Sequence, residues 1–474
     1  MHNYFDFVTR QKSLLIAPAG YGKTHAISES LKITTGKQLV LTHTHAGVSS
    51  IKEKLKKAKI PSKKFNVETI TSFAQKYVLA FYVDKDKIPK QEDSKAYYPF
   101  IIEEACNLIT LKPISKVILS SYEGLFVDEY QDCTNEQHQL IMLLSKLVKT
   151  RILGDHLQGI FDFNKGDLID FDNPTMKDFK SNEFTLSTPW RWKNNSREDL
   201  GEDLKCIREK LIGKEVIDLR EFKSIETHIV NEKDLHNIGN PYVSEIWKIL
   251  RTNKPLFIYP ESTHISPRLS IIKKFKNSFT LIESIDNKDF YSIARNIDNT
   301  DSFNIVKQLI AIASEIFKKT DINNWFNDKG VKSKQKEEDR LKIKSLKSNF
   351  ENLKKEKSLL LISDSLSKIK DDLKIACYRT DLYNSLKESL EEAHFNKITV
   401  YEAMVNKRNR IRRNGKKIYG NCIGTTLLTK GLEFDTVVLL DAHKYKCPKH
   451  LYVAMTRASK KLIIFTNNPI LNPH

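Results

Sequence analysis

The residues best suited to chemistry form one octet, Ala17-Pro18-Ala19-Gly20-Tyr21-Gly22-Lys23-Thr24. It follows a short apolar run, Leu14-Leu15-Ile16, and precedes a helix-like run from His25 to Leu31. Strand, glycine-rich turn, Lys-Thr and helix is the order a phosphate-binding loop requires. The glycines let backbone N–H groups turn inward around an anion, and the helix adds the positive end of its dipole. Lys23 can reach β- and γ-phosphates, and Thr24 can place its hydroxyl on Mg²⁺. Ala17 stands where the strict pattern has glycine, and a glycine-rich strand-to-helix turn that binds nothing would show the same local features.

A second set follows at Gly124-Leu125-Phe126-Val127-Asp128-Glu129-Tyr130-Gln131-Asp132. An apolar strand that runs into adjacent carboxylates suits phosphate chemistry. Asp128 at the strand end can hold Mg²⁺ through water, and Glu129 can polarise the water that attacks a γ-phosphate. A strand ending in Asp-Glu is weakly specific alone. About 100 residues after a phosphate loop, with Tyr-Gln-Asp following, it is strongly specific. Next, the stretch from Arg151 to Phe161 reads as a strand and polar turn in which Gln158 is placed to sense a γ-phosphate. Phe161 and Phe163 could stack on bases or simply fill a core. Trp190-Arg191-Trp192 sets an arginine between two aromatics.

These residues need a frame that brings strand ends together. Gln38 to His45 and Val67 to Phe73 read as strands running into small polar residues, and Val48 to Ala58 as a helix with Val48, Ile51 and Leu55 on one face. Alternation of this kind indicates a parallel α/β sheet, whose carboxyl edge binds ligands. Thr42, His43, Thr44, Thr71 and Ser72 fall on that edge, where hydroxyls can hold backbone phosphates or cap helices equally well. Residues 80–117 read as an insertion with a Tyr97-Tyr98-Pro99 break ahead of a short helix, Ile101 to Leu111. In the later insertion Leu346, Phe350 and Leu353 recur at helical spacing among charges, as packing residues do.

Composition sets the class. The 474 residues carry 78 Lys+Arg against 59 Asp+Glu, a net charge of +19. That points to an anionic polymer, nucleic acid before membrane surface, although a generally lysine-rich composition gives the same sign. Six scattered cysteines without a CxxC pair argue against a structural zinc or iron–sulfur site and fit a reducing cytoplasm. The aromatic, charged start is unlike a signal peptide, and the apolar runs are too short for a membrane span.

The order Ala17–Thr24, Thr42–Ala46, Thr69–Phe73, Val127–Asp132, Leu153–Phe161 and Leu186–Arg191 resembles the motor of superfamily 1 helicases, in its UvrD/Rep/PcrA branch. Asp-Glu-Tyr-Gln-Asp is that branch's most distinctive string. Thr425–Phe434 and Leu451–Ala458 resemble the branch's last two motifs. The resemblance implies an α/β fold of two RecA-like P-loop motor domains with parallel sheets, each carrying a small, mostly helical insertion. It divides the chain into residues 1–79 and 118–215 (first motor), 80–117 (its insertion), 216–273 and 398–474 (second motor), and 274–397 (its insertion).

The resemblance also implies an ATP hydrolase that uses Mg²⁺ and moves 3′ to 5′ on single-stranded or tailed duplex DNA. Lys23, Glu129, Gln158, Arg191 and Arg457 would be catalytic, with Arg457 an arginine finger. Gly431 and Glu433 would join the loop at the nucleotide, and Trp190 would join the DNA-contacting residues. Thr71 and Leu427 stand where the branch favours His, and the segment between Gln11 and Lys23 is too short for the usual adenine-reading arrangement, which leaves Tyr4, Phe5 or Phe7 to stack on the base. The compact form is similar to the helicase-like subunit of the Gabija anti-phage system, whose partner is an OLD-type nuclease. A regulatory subunit that senses nucleotide and DNA and switches a partner nuclease, with little unwinding of its own, is the other reading.

Overall fold

A computed structural model describes residues 4–89, 93–160, 168–231, 241–252, 254–260, 265–275, 278–282, 288–327, 330–414 and 420–474. The chain forms two compact units. The first comprises residues 1–232, 413–415 and 430–474, and the second 233–412 and 416–429.

The first unit is built on a six-stranded sheet of β1 (Lys12–Ile16), β2 (Gln38–Thr42), β3 (Phe65–Thr69), β4 (Gly124–Val127), β5 (Lys149–Gly154) and β6 (Glu183–Thr185). Its order is β3-β2-β4-β5-β1-β6, with every pairing parallel. β2 and β4 are buried along their whole length. This is why they read as continuous apolar runs rather than alternating ones: helices cover both faces. Leu14, Leu39, Leu41, Leu125, Val127 and Ile152 belong to one core with Phe73, Tyr77, Ile141 and Leu144 from the helices. β1 and β2 are consecutive in the chain but separated in the sheet by β4 and β5. Such a reversal opens a crevice at the carboxyl ends of the strands.

Each unit holds further strands in parallel pairs. In the first unit Phe434–Leu439, Ala458–Thr466 and Glu226–Ile229 pair in parallel. In the second unit Thr280–Leu281, Cys422–Thr425 and Leu256–Tyr259 do so. The α/β fold with two RecA-like parallel sheets therefore holds. The rest of the second unit is mainly helical, with a short antiparallel pair, Phe326–Asn327 and Gly330–Val331. Lys288–Asn299, Ile305–Ile316, Glu337–Lys355, Leu359–Asp371 and Thr380–Asn396 enclose one apolar core. The stripe Leu346, Phe350, Leu353 is buried in that core, and Lys-rich faces remain outside.

Of the boundaries that differ from the sequence reading, two show a cap deciding the outcome. The strand expected to reach Phe73 ends at Thr69, whose hydroxyl accepts the Ser72 N–H at 3.0 Å and starts the helix Ile70–Phe81. Local capping outweighs the β-branched run here. The helix expected from Ile101 begins at Ser94, capped by Asp93, and runs through Pro99. Tyr97, Ile101, Ile102 and Ala105 bury one face against the sheet core, which offsets the hydrogen bond that proline cannot make.

Candidate nucleotide-binding site

The loop after β1 is fixed at both ends. Ala17 N–H donates to the Gly154 carbonyl at 3.0 Å, extending the ladder past the strand, and Ala26 N–H donates to Gly22 O at 2.9 Å, starting the helix Lys23–Ile33. Between them Gly20 and Gly22 take φ of +78° and +95°. A β-carbon on Gly20 would lie 2.9 Å from Trp192 Cζ3, so the backbone approach itself requires glycine. Lys23 is buried under the loop and donates to the Ala17 carbonyl at 3.0 Å. Its ammonium lies 3.9 Å from Glu129 Oε1. Thr24 stands half-buried at the first turn, and Ala19 N–H donates to the Tyr452 hydroxyl at 3.3 Å.

The carboxylates come from the end of β4. Asp128 N–H bonds to Leu41 O at 2.8 Å, which seats the residue at the sheet edge. Its Oδ1 is buried and has no hydrogen-bond partner among the described residues. Burial and the neighbouring Glu129 charge push its carboxyl well above the usual range. A buried, unpaired carboxylate oxygen is costly unless a cation meets it. Asp128 and Thr24, the residues expected at the metal, both offer oxygen, the donor type a hard divalent ion takes. Glu129 sits in left-handed backbone at φ +54°. A non-glycine residue there stores roughly 1–3 kcal/mol, a strain typical of functional sites. Burial alone would raise its pKa, but Lys23 and Lys430 hold it below the ordinary value, so the carboxylate is charged. Gln131 Nε2 bonds to Glu129 Oε2, and Gln131 Oε1 accepts the Asp155 N–H at 3.0 Å.

Gln158 is buried in the turn His156–Gln158 that follows β5, and its amide donates to Asp155 Oδ2 at 2.8 Å. Asp155 is fully buried, and its other oxygen accepts Arg208 Nη2 at 2.8 Å. Arg208 lies over the Tyr452 ring, 5.6 Å from its centroid. Arg191 pairs with Glu433, Nε to Oε2 at 2.9 Å, and bonds to the Thr456 carbonyl. It stacks on Trp192 at 5.6 Å rather than between two aromatics, because Trp192 is buried with its indole N–H on Ala458 O while Trp190 is exposed. Arg457 is buried. Its guanidinium donates to the carbonyls of Val453 and Leu432, at 2.9 and 3.2 Å, and to the Thr456 hydroxyl at 3.3 Å. Burial and Arg191 pull its pKa down to about 10. Gly431 takes φ +81°, with open space where a β-carbon would be.

Two of the expected nucleic-acid residues, Thr44 and Ser72, have local hydrogen-bond partners. Thr44 caps the helix His45–Lys57 through Gly47 N–H at 3.0 Å, and Ser72 accepts the Thr69 hydroxyl at 2.7 Å. Thr42 is buried against Gly47, and Thr71 is half-buried on the first turn of Ile70–Phe81. Burial, reinforced by the Lys430 charge, holds His43 down to about 4, hence neutral. Phe161 and Phe163 lie outside the described residues.

With this arrangement of loop, carboxylates and arginines, the family matches become interpretable. Residues 4–164 match the AAA domain family, and residues 423–465 match the UvrD-like helicase C-terminal domain. The chain is thus similar to AAA domains over its first third and to UvrD-like helicase C-terminal domains near its end. The solved Pif1 helicase from Candida albicans is similar at 11% sequence identity with a TM-score of 0.42, over 98% of this chain and 95% of that one. No curated protein matches.

Gln131, Asp155, Lys430 and Tyr452 lie inside the quoted motifs but had no role assigned from the sequence, and Arg208 lies outside them; Lys430, Arg208 and Tyr452 meet partners far away in the chain. Lys54, on the helix His45–Lys57, feels the charges of Asp128, Glu433 and Glu129, though burial lowers its pKa overall. The spacing of buried positions on Glu198–Ile212 could have exposed Arg208, which falls on the apolar face with Leu204 and Leu211.

Proposed function

We propose that this chain is a Mg²⁺-ATP-driven translocase or helicase of superfamily 1, acting 3′ to 5′ on single-stranded or tailed duplex DNA. The observation that carries this reading is the convergence on one sheet edge of a phosphate loop, the unpartnered Asp128 oxygen and the charged, strained Glu129. Mg²⁺ bound through Asp128 and Thr24 would neutralise developing phosphate charge. Lys23 would exchange its Ala17 and Glu129 contacts for β- and γ-phosphate oxygens. Glu129 would orient and deprotonate the attacking water, and Gln158 would sense the γ-phosphate. Arg191 and Arg457 would stabilise charge on the transferring group once released from Glu433 and from the backbone carbonyls. Residues 1–79 with 118–215, and 216–273 with 398–474, would be the two motors, with insertions at 80–117 and 274–397.

The +19 net charge supports a polyanionic track. A second reading is favoured by local bonding: the Thr44 hydroxyl already caps a helix start and Ser72 is bonded to Thr69, which weakens the grip expected on a strand. On that reading the chain is a nucleotide- and DNA-sensing subunit of an anti-phage or repair complex that switches an OLD-type nuclease. Hydrolysis of ATP with and without single-stranded DNA, followed by unwinding of 3′- and 5′-tailed duplexes, separates the two. DNA-stimulated hydrolysis with unwinding of the 3′-tailed substrate supports the motor. Hydrolysis with no stimulation and no unwinding supports the sensor.

A further inference from the structure

Lys430 is 298 positions from Asp132, yet both of that carboxylate's oxygens accept its ammonium, one at 2.6 Å. The pair is almost wholly buried, with side-chain exposures of 6% and 1%. The same ammonium bonds to the Gln158 carbonyl. Asp132 N–H donates to Glu129 O at 3.1 Å within the single turn that Glu129 opens. A closed circuit follows. Glu129 is held by Gln131, Gln131 by the Asp155 N–H, Asp155 by the Gln158 amide, the Gln158 carbonyl by Lys430, and Lys430 by Asp132, which returns to Glu129. Lys430 also begins the stretch in which Leu432 O accepts Arg457 and Glu433 accepts Arg191.

We infer that Lys430 is a positioning residue for Glu129: it fixes the water-orienting carboxylate to the stretch 430–433, so that the place of this stretch sets the rate of hydrolysis. The inference rests on the proposed role of Glu129. Lys430 touches neither water nor nucleotide in this account; it acts through Asp132 and Gln158 and through its charge on Glu129. A buried ion pair alone would be ordinary fold stabilisation, and replacing both partners with apolar residues of similar size is often neutral for stability. That gives the separating experiment.

The double variant Lys430→Met with Asp132→Leu leaves no unpaired buried charge. We expect it to melt near the wild-type temperature and to bind a fluorescent ATP analogue within about 3-fold of wild type. Its kcat for Mg-ATP hydrolysis should fall on the order of 100-fold, the cost of a catalytic group misplaced by about 1 Å. Lys430→Arg, which keeps the charge, should recover at least about a tenth of wild-type kcat. A double variant with kcat within about 3-fold of wild type would overturn the inference, and so would a parallel rise in KM with kcat unchanged. If the double variant does not fold, Asp132→Glu and Lys430→Arg decide: wild-type kcat in both overturns the positioning role, and a kcat-specific loss in either supports it. Glu129→Gln is measured beside them. Wild-type hydrolysis there would remove the proposed function itself, whereas an inactive Glu129→Gln with an active double variant removes only the role of Lys430.

Discussion

Gly20→Ala and Gly22→Ala differ by one position and should differ sharply in cost. Both glycines have positive φ, +78° and +95°, so an alanine at either adds roughly 1–2 kcal/mol of backbone strain. At Gly22 the new β-carbon would meet Trp190 Cδ1 at 3.4 Å, on an exposed ring, and His25 Cβ at 3.8 Å, both ordinary contacts. At Gly20 it would lie 2.9 Å from Trp192 Cζ3 and 3.0 Å from Arg191 Cβ. Neither neighbour can retreat easily. Trp192 is 1% exposed with its N–H on Ala458 O at 2.9 Å, and Arg191 N–H donates to Gly20 O at 2.9 Å. Overpacking of this kind adds about 1–3 kcal/mol. Gly20→Ala should therefore lose roughly 2–5 kcal/mol and Gly22→Ala roughly 1–2 kcal/mol. Urea melts followed by tryptophan fluorescence read the difference directly, since Trp192 sits at the perturbed contact. Equal losses in the two variants, or a Gly20→Ala protein as stable as wild type, would refute the packing argument.

Other consequences are equally open to measurement. Arg208→Met strands the fully buried Asp155 carboxylate with only neutral donors and should cost about 3–5 kcal/mol in denaturant melts. Trp192→Phe leaves the Ala458 carbonyl without its donor and should cost about 1–3 kcal/mol. His43, held down to about 4 in the folded chain against about 6.5 unfolded, takes up its proton more readily when unfolded. Stability present above pH 6.5 should therefore decline as pH falls toward 4, and His43→Asn should show a shallower decline over that window in parallel melts.

How far the fold and site could be read in advance follows from the range of the interactions involved. The loop at 17–24 and the strand end at Asp128 are local patterns, and the α/β order follows from alternating apolar runs, so these were legible. Gln158 is found by position, but its amide turns to Asp155, a contact that no spacing announces. Trp190 and Trp192 are near neighbours in sequence with opposite fates, because only Trp192 reaches the Ala458 carbonyl 266 residues away. Lys430 reads as one residue of a motif, and its buried partner Asp132 as the last letter of another. Their pairing is tertiary and leaves no trace in either stretch. Helix ends were misread where a single cap, Thr69 or Asp93, decided the boundary.

The central claim is that Glu129, charged and strained at the end of β4, drives hydrolysis of a nucleotide cradled by residues 17–24. The direct test is steady-state ATP hydrolysis by wild type and Glu129→Gln, with and without single-stranded DNA, beside the affinity of each for a fluorescent ATP analogue. The account predicts DNA-stimulated turnover in wild type, its loss by about 100-fold or more in Glu129→Gln, and nucleotide affinity retained within several-fold. Wild-type turnover by Glu129→Gln, with binding intact, would contradict it.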